Sequence, residues 1–231
     1  MTGWLASIVE VDEVRQVLAA GAHIVDAKNP HAGALGALPH RTVRGIVDVV
    51  ADRVPVSATI GDFPAMQPAI VCNAVAEMAA TGVDFVKIGL FPSPDLADCL
   101  QALAPLARRH HLVAVLFADL EPDFTLPARL AEFGFSGVML DTADKRGGGL
   151  LVHQTLPRLA EFVTQARQLN LLTGLAGSLK LADIPLLAKL NPDYLGFRGA
   201  LCRGHTRTQT LDPEAMAALG RAMRSEVVLA A

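Results

Sequence analysis

Short, mostly apolar runs of six to eight residues alternate along this chain with longer stretches whose apolar positions recur every three or four residues. The short runs are "GWLASI" from residue 3, "HIVDAK" from 23, "VPVSATI" from 54, "VDFVKIG" from 83, "LVAVLFAD" from 112, "FSGVMLD" from 135, "LLTGLAG" from 171 and "DYLGFRG" from 193. They lack the strict alternation of a sheet with one wet face, so they read as strands buried on both sides, as in a parallel sheet. The stretches between them read as amphipathic helices: "VDEVRQVLAAG", "RTVRGIVDVVAD", "MQPAIVCNAVAEMAATG", "SPDLADCLQALAPLARRH", "LPARLAEFG", "LPRLAEFVTQARQLN", "LADIPLLAKLN" and "DPEAMAALGRAM". Several close on Gly or Asn, the residues that end helices in a left-handed conformation. Eight strands, each followed by a helix, predict an α/β fold: a single (β/α)8 TIM-type barrel domain over residues 1–231. An open doubly wound sheet is the competing arrangement, but no GxGxxG follows the first strand.

Composition narrows the class further. A hydrophobic content of 52% and a mean hydropathy of +0.37 provide for a large core. A net charge of -3 offers no attraction to nucleic acid or to an anionic membrane. No stretch is apolar enough for a transmembrane helix, and the N-terminus reaches Glu10 and Asp12 too early for a signal peptide. Three scattered cysteines, Cys72, Cys99 and Cys202, fit reduced thiols in a cytoplasmic protein. The seven histidines have no HxH or HExxH spacing, so no metal and no cofactor are expected.

Polar residues collect at the predicted C-terminal strand ends, where barrels of this kind carry their catalytic groups. The second strand ends in Asp26 and Lys28, two apart and therefore on one face. The third offers Thr59 and Asp62, the fourth Lys87, the fifth Asp119, the sixth Asp141 followed by Lys145, and the eighth Arg198. A lone charge at a strand end is most often a solvated rim residue. Here three of only five lysines sit at such ends beside carboxylates, while fifteen arginines carry the other positive charges. What lysine offers and arginine cannot is a deprotonatable amine. In a low-dielectric cavity beside another cation such an amine loses its proton more readily and attacks an aldehyde or ketone, giving a Schiff base that acidifies the adjacent C–H. A second lysine and two aspartates can then move protons without a metal.

Glycine loops after the last two strands point to the substrate. "GLAGSLK" (174–180) and "GFRGALC" (196–202) place Gly177, Ser178 and Gly199 where barrel folds bind phosphate through backbone N–H groups, and Arg198 is the expected charged contact. "KRGGGLL" (145–151) reads as a mobile flap.

In "DAKNPHAGALGA" (26–37), "VSATIGD" (56–62), "VKIGL" (86–90), "MLDTADK" (139–145), "GLAGSL" (174–179) and "GFRGALCRG" (196–204) the chain resembles the (5-formylfuran-3-yl)methyl phosphate synthases of methanofuran biosynthesis. The first and fourth motifs are specific to that family; the others are common in barrels. The resemblance covers essentially the whole chain. It implies condensation of two molecules of glyceraldehyde 3-phosphate, with loss of one phosphate and water, to a furan aldehyde phosphate. It also implies that Lys28 is the Schiff-base lysine and Lys87 the proton acceptor, with Asp26, Asp141 and Lys145 at further active-site positions. Arg203 and His205 depart from it, standing in a loop where the family is more acidic. The expected partner is a small phosphorylated aldehyde; a homo-oligomer is left open. Two alternatives remain at this point: another class I aldolase-type barrel acting on a sugar phosphate, and a non-catalytic phosphate-ester binder.

Overall fold

The computed structural model describes residues 1–229. Eight parallel strands close into a barrel in chain order: β1 (Gly3–Ile8), β2 (Ile24–Ala27), β3 (Val56–Thr59), β4 (Phe85–Leu90), β5 (His111–Phe117), β6 (Gly137–Asp141), β7 (Leu172–Leu175) and β8 (Tyr194–Phe197), with β8 pairing back onto β1. The helices are α1 (Glu13–Ala19), α2 (His40–Val50), α3 (Pro68–Ala79), α4 (Leu96–Ala107), α5 (Leu126–Glu132), α6 (Leu150–His153), α7 (Leu156–Gln168), α8 (Ile184–Ala188) and α9 (Pro213–Leu229). All eight strands lie within the runs read from the sequence or one residue beyond them, and the (β/α)8 barrel is as expected.

Two differences have local causes. The helix expected over 181–191 divides into a 3-10 turn, Leu181–Asp183, followed by α8. Pro185, in the first turn of α8, has no N–H to bond backwards, so it suits a helix start and breaks a longer helix. The short α6 has no counterpart in the sequence pattern. Its glycine-rich approach disfavours helix, yet Leu150 is buried and its N–H donates to the carbonyl of Gly177, so tertiary packing fixes it. The segment expected to be a flap is therefore anchored at both ends, by Leu150 and by the ion pair of Lys145 with Asp141.

Alternation along each strand divides the core. Val25, Ala27, Val56, Ala58, Val86 and Ile88 pack outward against the helices, whereas Leu5, Val113, Val115, Met139 and Tyr194 fill the barrel interior. Gly174 makes room for the Tyr194 ring, since a Cβ there would lie 2.4 Å from it. The interior below the mouth is thus plugged, and polar chemistry is left to the upper rim. All three cysteines are free thiols, and burial pushes that of Cys99 up to about 11. No helix among the described residues is long and apolar enough to cross a membrane.

Candidate active site

The polar residues expected at the strand ends converge on a cavity of about 570 Å³ in the barrel mouth, lined by Ser7, Asp26, Lys28, Lys87, Asp141 and Lys145 among others. Asp26 and Lys28 point inward together because they stand two apart. The backbone N–H of Lys28 donates to Ile8, which continues the β1–β2 register one residue past β2.

Asp26 is completely buried, and three donors converge on its carboxylate. The ammonium of Lys87 lies 2.6 Å from Oδ1, and the hydroxyls of Ser7 and Ser57 donate at 2.7 Å to Oδ2 and Oδ1. Burial opposes the charge on Asp26, but Lys87, Lys28 and the Ser57 hydroxyl outweigh it and hold the carboxyl below the usual range. Burial likewise lowers the pKa of Lys87, with Asp26 opposing and Lys28 adding to the fall.

Asp141 stands on β6, across the barrel from β2. Its Oδ2 is 3.3 Å from the Lys28 ammonium, its Oδ1 pairs with Lys145, and the backbone N–H of Thr142 donates to it at 2.8 Å. Burial opposes its ionisation, yet Lys145 and Lys28 keep it ionised well below the ordinary carboxylate range. For Lys145 burial dominates; with Lys28 adding and Asp141 opposing, its pKa falls to about 8. The result is two carboxylates facing three amines in one cavity, with Lys28 between the two clusters. Its side chain is 11% exposed and opens onto free volume. An aldehyde entering the mouth meets Lys28 before it meets Lys87, which is 2% exposed.

Two aspartates read as strand-end candidates shape loops instead. Asp62 accepts hydrogen bonds from the N–H groups of Ala34 and Leu35, fixing the loop that follows Lys28. Asp119 accepts from Ala143 and Asp144, fixing the loop that carries Lys145. Thr59, expected near the substrate, is not part of the cavity wall; its buried hydroxyl donates to the carbonyl of Gly36.

Gly177, Ser178 and Gly199, expected to meet a phosphate, do line the cavity. Gly177 (φ 110°) needs glycine both for its positive φ and because a Cβ would lie 3.0 Å from Thr142. Among the described residues, the N–H groups of Gly177, Ser178, Gly199 and Ala200 have no acceptor within the chain, and all four residues line the cavity.

Arg198 also reaches the cavity wall, but its guanidinium is committed elsewhere. It pairs with Glu13 at 2.8 Å and donates to the carbonyls of Ser7, Arg207 and Gln209. Four of the five donors expected to meet substrate form instead a clamp joining β1, α1 and the loop after β8. Arg198→Ala strands the buried Glu13 carboxylate, and the expected result is a loss of about 3–5 kcal/mol of stability in denaturant titration. Unchanged stability with a raised KM would restore the direct role. Ser7, Ser57, Glu13 and Arg207 carry no signal in the sequence, yet all four take part in the site or its support. Arg207 and His205 line the cavity, His205 from an exposed position, while Arg203 in the same loop is exposed and not part of its wall.

A family model described as 4-HFC-P synthase matches residues 4–220. A Methylorubrum extorquens protein provisionally named (5-formylfuran-3-yl)methyl phosphate synthase is 47% identical, over 96% of this chain and 91% of that one. The (5-formylfuran-3-yl)methyl phosphate synthase of Methanopyrus kandleri is 36% identical, over 89% and 91%. Among solved structures, phosphoribosyl anthranilate isomerase from Thermus thermophilus superposes with a TM-score of 0.67 over 97% of this chain and 99% of that one, at 15% identity, a likeness of fold alone.

Proposed function

The chain belongs to the 4-HFC-P synthase family, and from that premise we propose that it joins two molecules of glyceraldehyde 3-phosphate through a Schiff base on Lys28. One phosphate and water are lost, and the product is a furan aldehyde phosphate for methanofuran or a methanofuran-like cofactor. The observation that carries this reading is Lys28 itself, an amine opening onto the cavity between a Lys87–Asp26 pair and a Lys145–Asp141 pair. In this reaction the Lys28 Nζ attacks the aldehyde carbon of one triose and water leaves, giving an iminium. Lys87, whose lowered pKa lets it give up its own proton to solvent first, then accepts the proton from the adjacent carbon as a neutral amine, and the resulting enamine attacks the aldehyde of the second triose. Asp26 and Asp141 neutralise the cations formed on the way, and the free N–H groups of the two glycine loops hold a phosphate. The reaction is assigned to the cytoplasm, where the three thiols stay reduced.

Incubation with glyceraldehyde 3-phosphate as sole substrate, followed by mass analysis, should give the furan aldehyde phosphate and inorganic phosphate. Accumulation of a six-carbon bisphosphate instead would place the chain with ordinary Schiff-base aldolases, and the absence of any product would reduce it to a phosphate-ester binder.

Lys145 gives this reading a pH signature. As an ammonium it stabilises negative charge on departing oxygens, and above about pH 8 it becomes a neutral amine. kcat should therefore fall on the alkaline side with an apparent pKa near 8. Lys145→Arg keeps the charge at all these pH values, so its profile should lack that limb. An alkaline limb unchanged in Lys145→Arg assigns the titration to another group.

A further inference from the structure

The cavity wall carries more positive charge than its carboxylates balance, and Arg207 carries part of the excess, as does the exposed Lys180 at the rim. Lys87 pairs with Asp26, Lys28 and Lys145 share Asp141, and Arg198 pairs with Glu13. Among the described residues, Arg207 has no carboxylate within ion-pair distance, although it is half-buried and lines the same cavity. It reaches from the loop after β8, over β1, to the loop after β2, where it donates to the carbonyl of Gly33 at 2.9 Å. From the other side, Arg198 Nε donates to the Arg207 carbonyl at 3.0 Å. Its backbone is therefore fixed while one of its five N–H donors is used, and the rest of the fork is available to a planar or tetrahedral oxyanion. Burial lowers its pKa, with Asp141 opposing and Arg198 adding to the fall, so a bound dianion would relieve a cation that the chain leaves unanswered.

The free N–H groups of Gly177, Ser178, Gly199 and Ala200 lie after β7 and β8, whereas the fork of Arg207 ends over the β2 side of the mouth. Two phosphate monoesters in one cavity repel each other and need separate counter-charges. We propose that Arg207 anchors a second phosphate subsite, which holds the phosphate of the second triose while the glycine loops hold that of the first. The proposal rests on the condensation of two phosphorylated aldehydes inferred above.

The subsite can be tested without turnover. Titration calorimetry of the wild-type chain with inorganic phosphate should give two ions bound per chain. Arg207→Gln, which keeps a donor for Gly33, should bind one, with the affinity of that remaining site unchanged. Two ions in both proteins, or one in both, would overturn the subsite and leave Arg207 as a strap between loops. If Arg207→Gln does not fold, Arg207→Lys serves instead. Lysine cannot make the bidentate pair, so the second phosphate should bind roughly tenfold to a hundredfold more weakly, and an unchanged affinity would overturn the proposal. The reaction assignment fails separately. Two phosphates on the wild type and one on Arg207→Gln, but no furan product from glyceraldehyde 3-phosphate, would remove the reaction and leave the subsite standing.

Discussion

Lys28→Arg should be folded and inactive. Arginine preserves the positive charge facing Asp141, so the electrostatic balance around the two carboxylates is kept and the fold has no reason to change. What disappears is the lone pair that attacks the aldehyde. Loss of a covalent nucleophile should bring turnover below about one-thousandth of wild type. Borohydride added with glyceraldehyde 3-phosphate should leave a stable adduct on the wild-type peptide containing Lys28, and none on the variant. Lys87→Met tests the division of labour, because it removes the proton acceptor and leaves the Lys28 nucleophile, so an adduct should still form without furan product. An adduct mapping to Lys87 or Lys145, or near-native turnover by Lys28→Arg, would reassign the nucleophile.

Such variants can be named because the sequence announces the lysines. Asp26 and Lys28 end an otherwise apolar run two residues apart, and strand periodicity alone places both on one face. Lys87 and Asp141 are legible for the same reason: a charge inside or closing an apolar strand must face either the helices or the mouth, and the helix side is apolar. Serines carry no such signal. Ser7 and Ser57 look like ordinary strand residues, and only the closed barrel shows that both hydroxyls meet on Asp26. Arg198 illustrates the opposite failure. Its place at the end of β8 is legible, but its partner Glu13 lies 185 residues away, and no local pattern shows where a guanidinium spends its donors. Arg207 sits in a loop with no periodicity, so its reach to Gly33 follows from the path of the chain after β8 alone. Asp62 and Asp119 are legible as strand-end acids but not as holders of backbone N–H groups, since those groups belong to loops after other strands.

The Asp26–Lys87 pair should reveal how much the fold bears for its chemistry. Asp26→Asn is nearly isosteric, but it removes the charge that answers an ammonium only 2% exposed. Breaking one side of a buried pair costs about 3–5 kcal/mol, because the remaining charge stays desolvated and unpaired. Lys87 can escape part of that cost by releasing its proton, and this fixes the sign of the pH dependence. In the wild type, burial already holds its pKa below the ordinary 10.5, and Asp26 is the chief force opposing that fall. Without Asp26 the folded-state pKa drops further. Between that value and 10.5 the unfolded chain binds more protons than the folded one, so stability rises with pH across the interval. Asp26→Asn should therefore be markedly destabilised at neutral pH in urea titrations and recover toward pH 10, over a wider window than the wild type shows. Turnover should be lost at every pH, because the ammonium that forms when Lys87 collects the proton has no carboxylate to neutralise it. The double variant Asp26→Asn with Lys87→Met removes both charges, and it should regain much of the stability that the single change loses. Equal stability of Asp26→Asn and wild type at pH 7, with parallel pH slopes, would mean that Lys87 is neutral in the resting protein and that the pair is a hydrogen bond between an amine and a carboxylate.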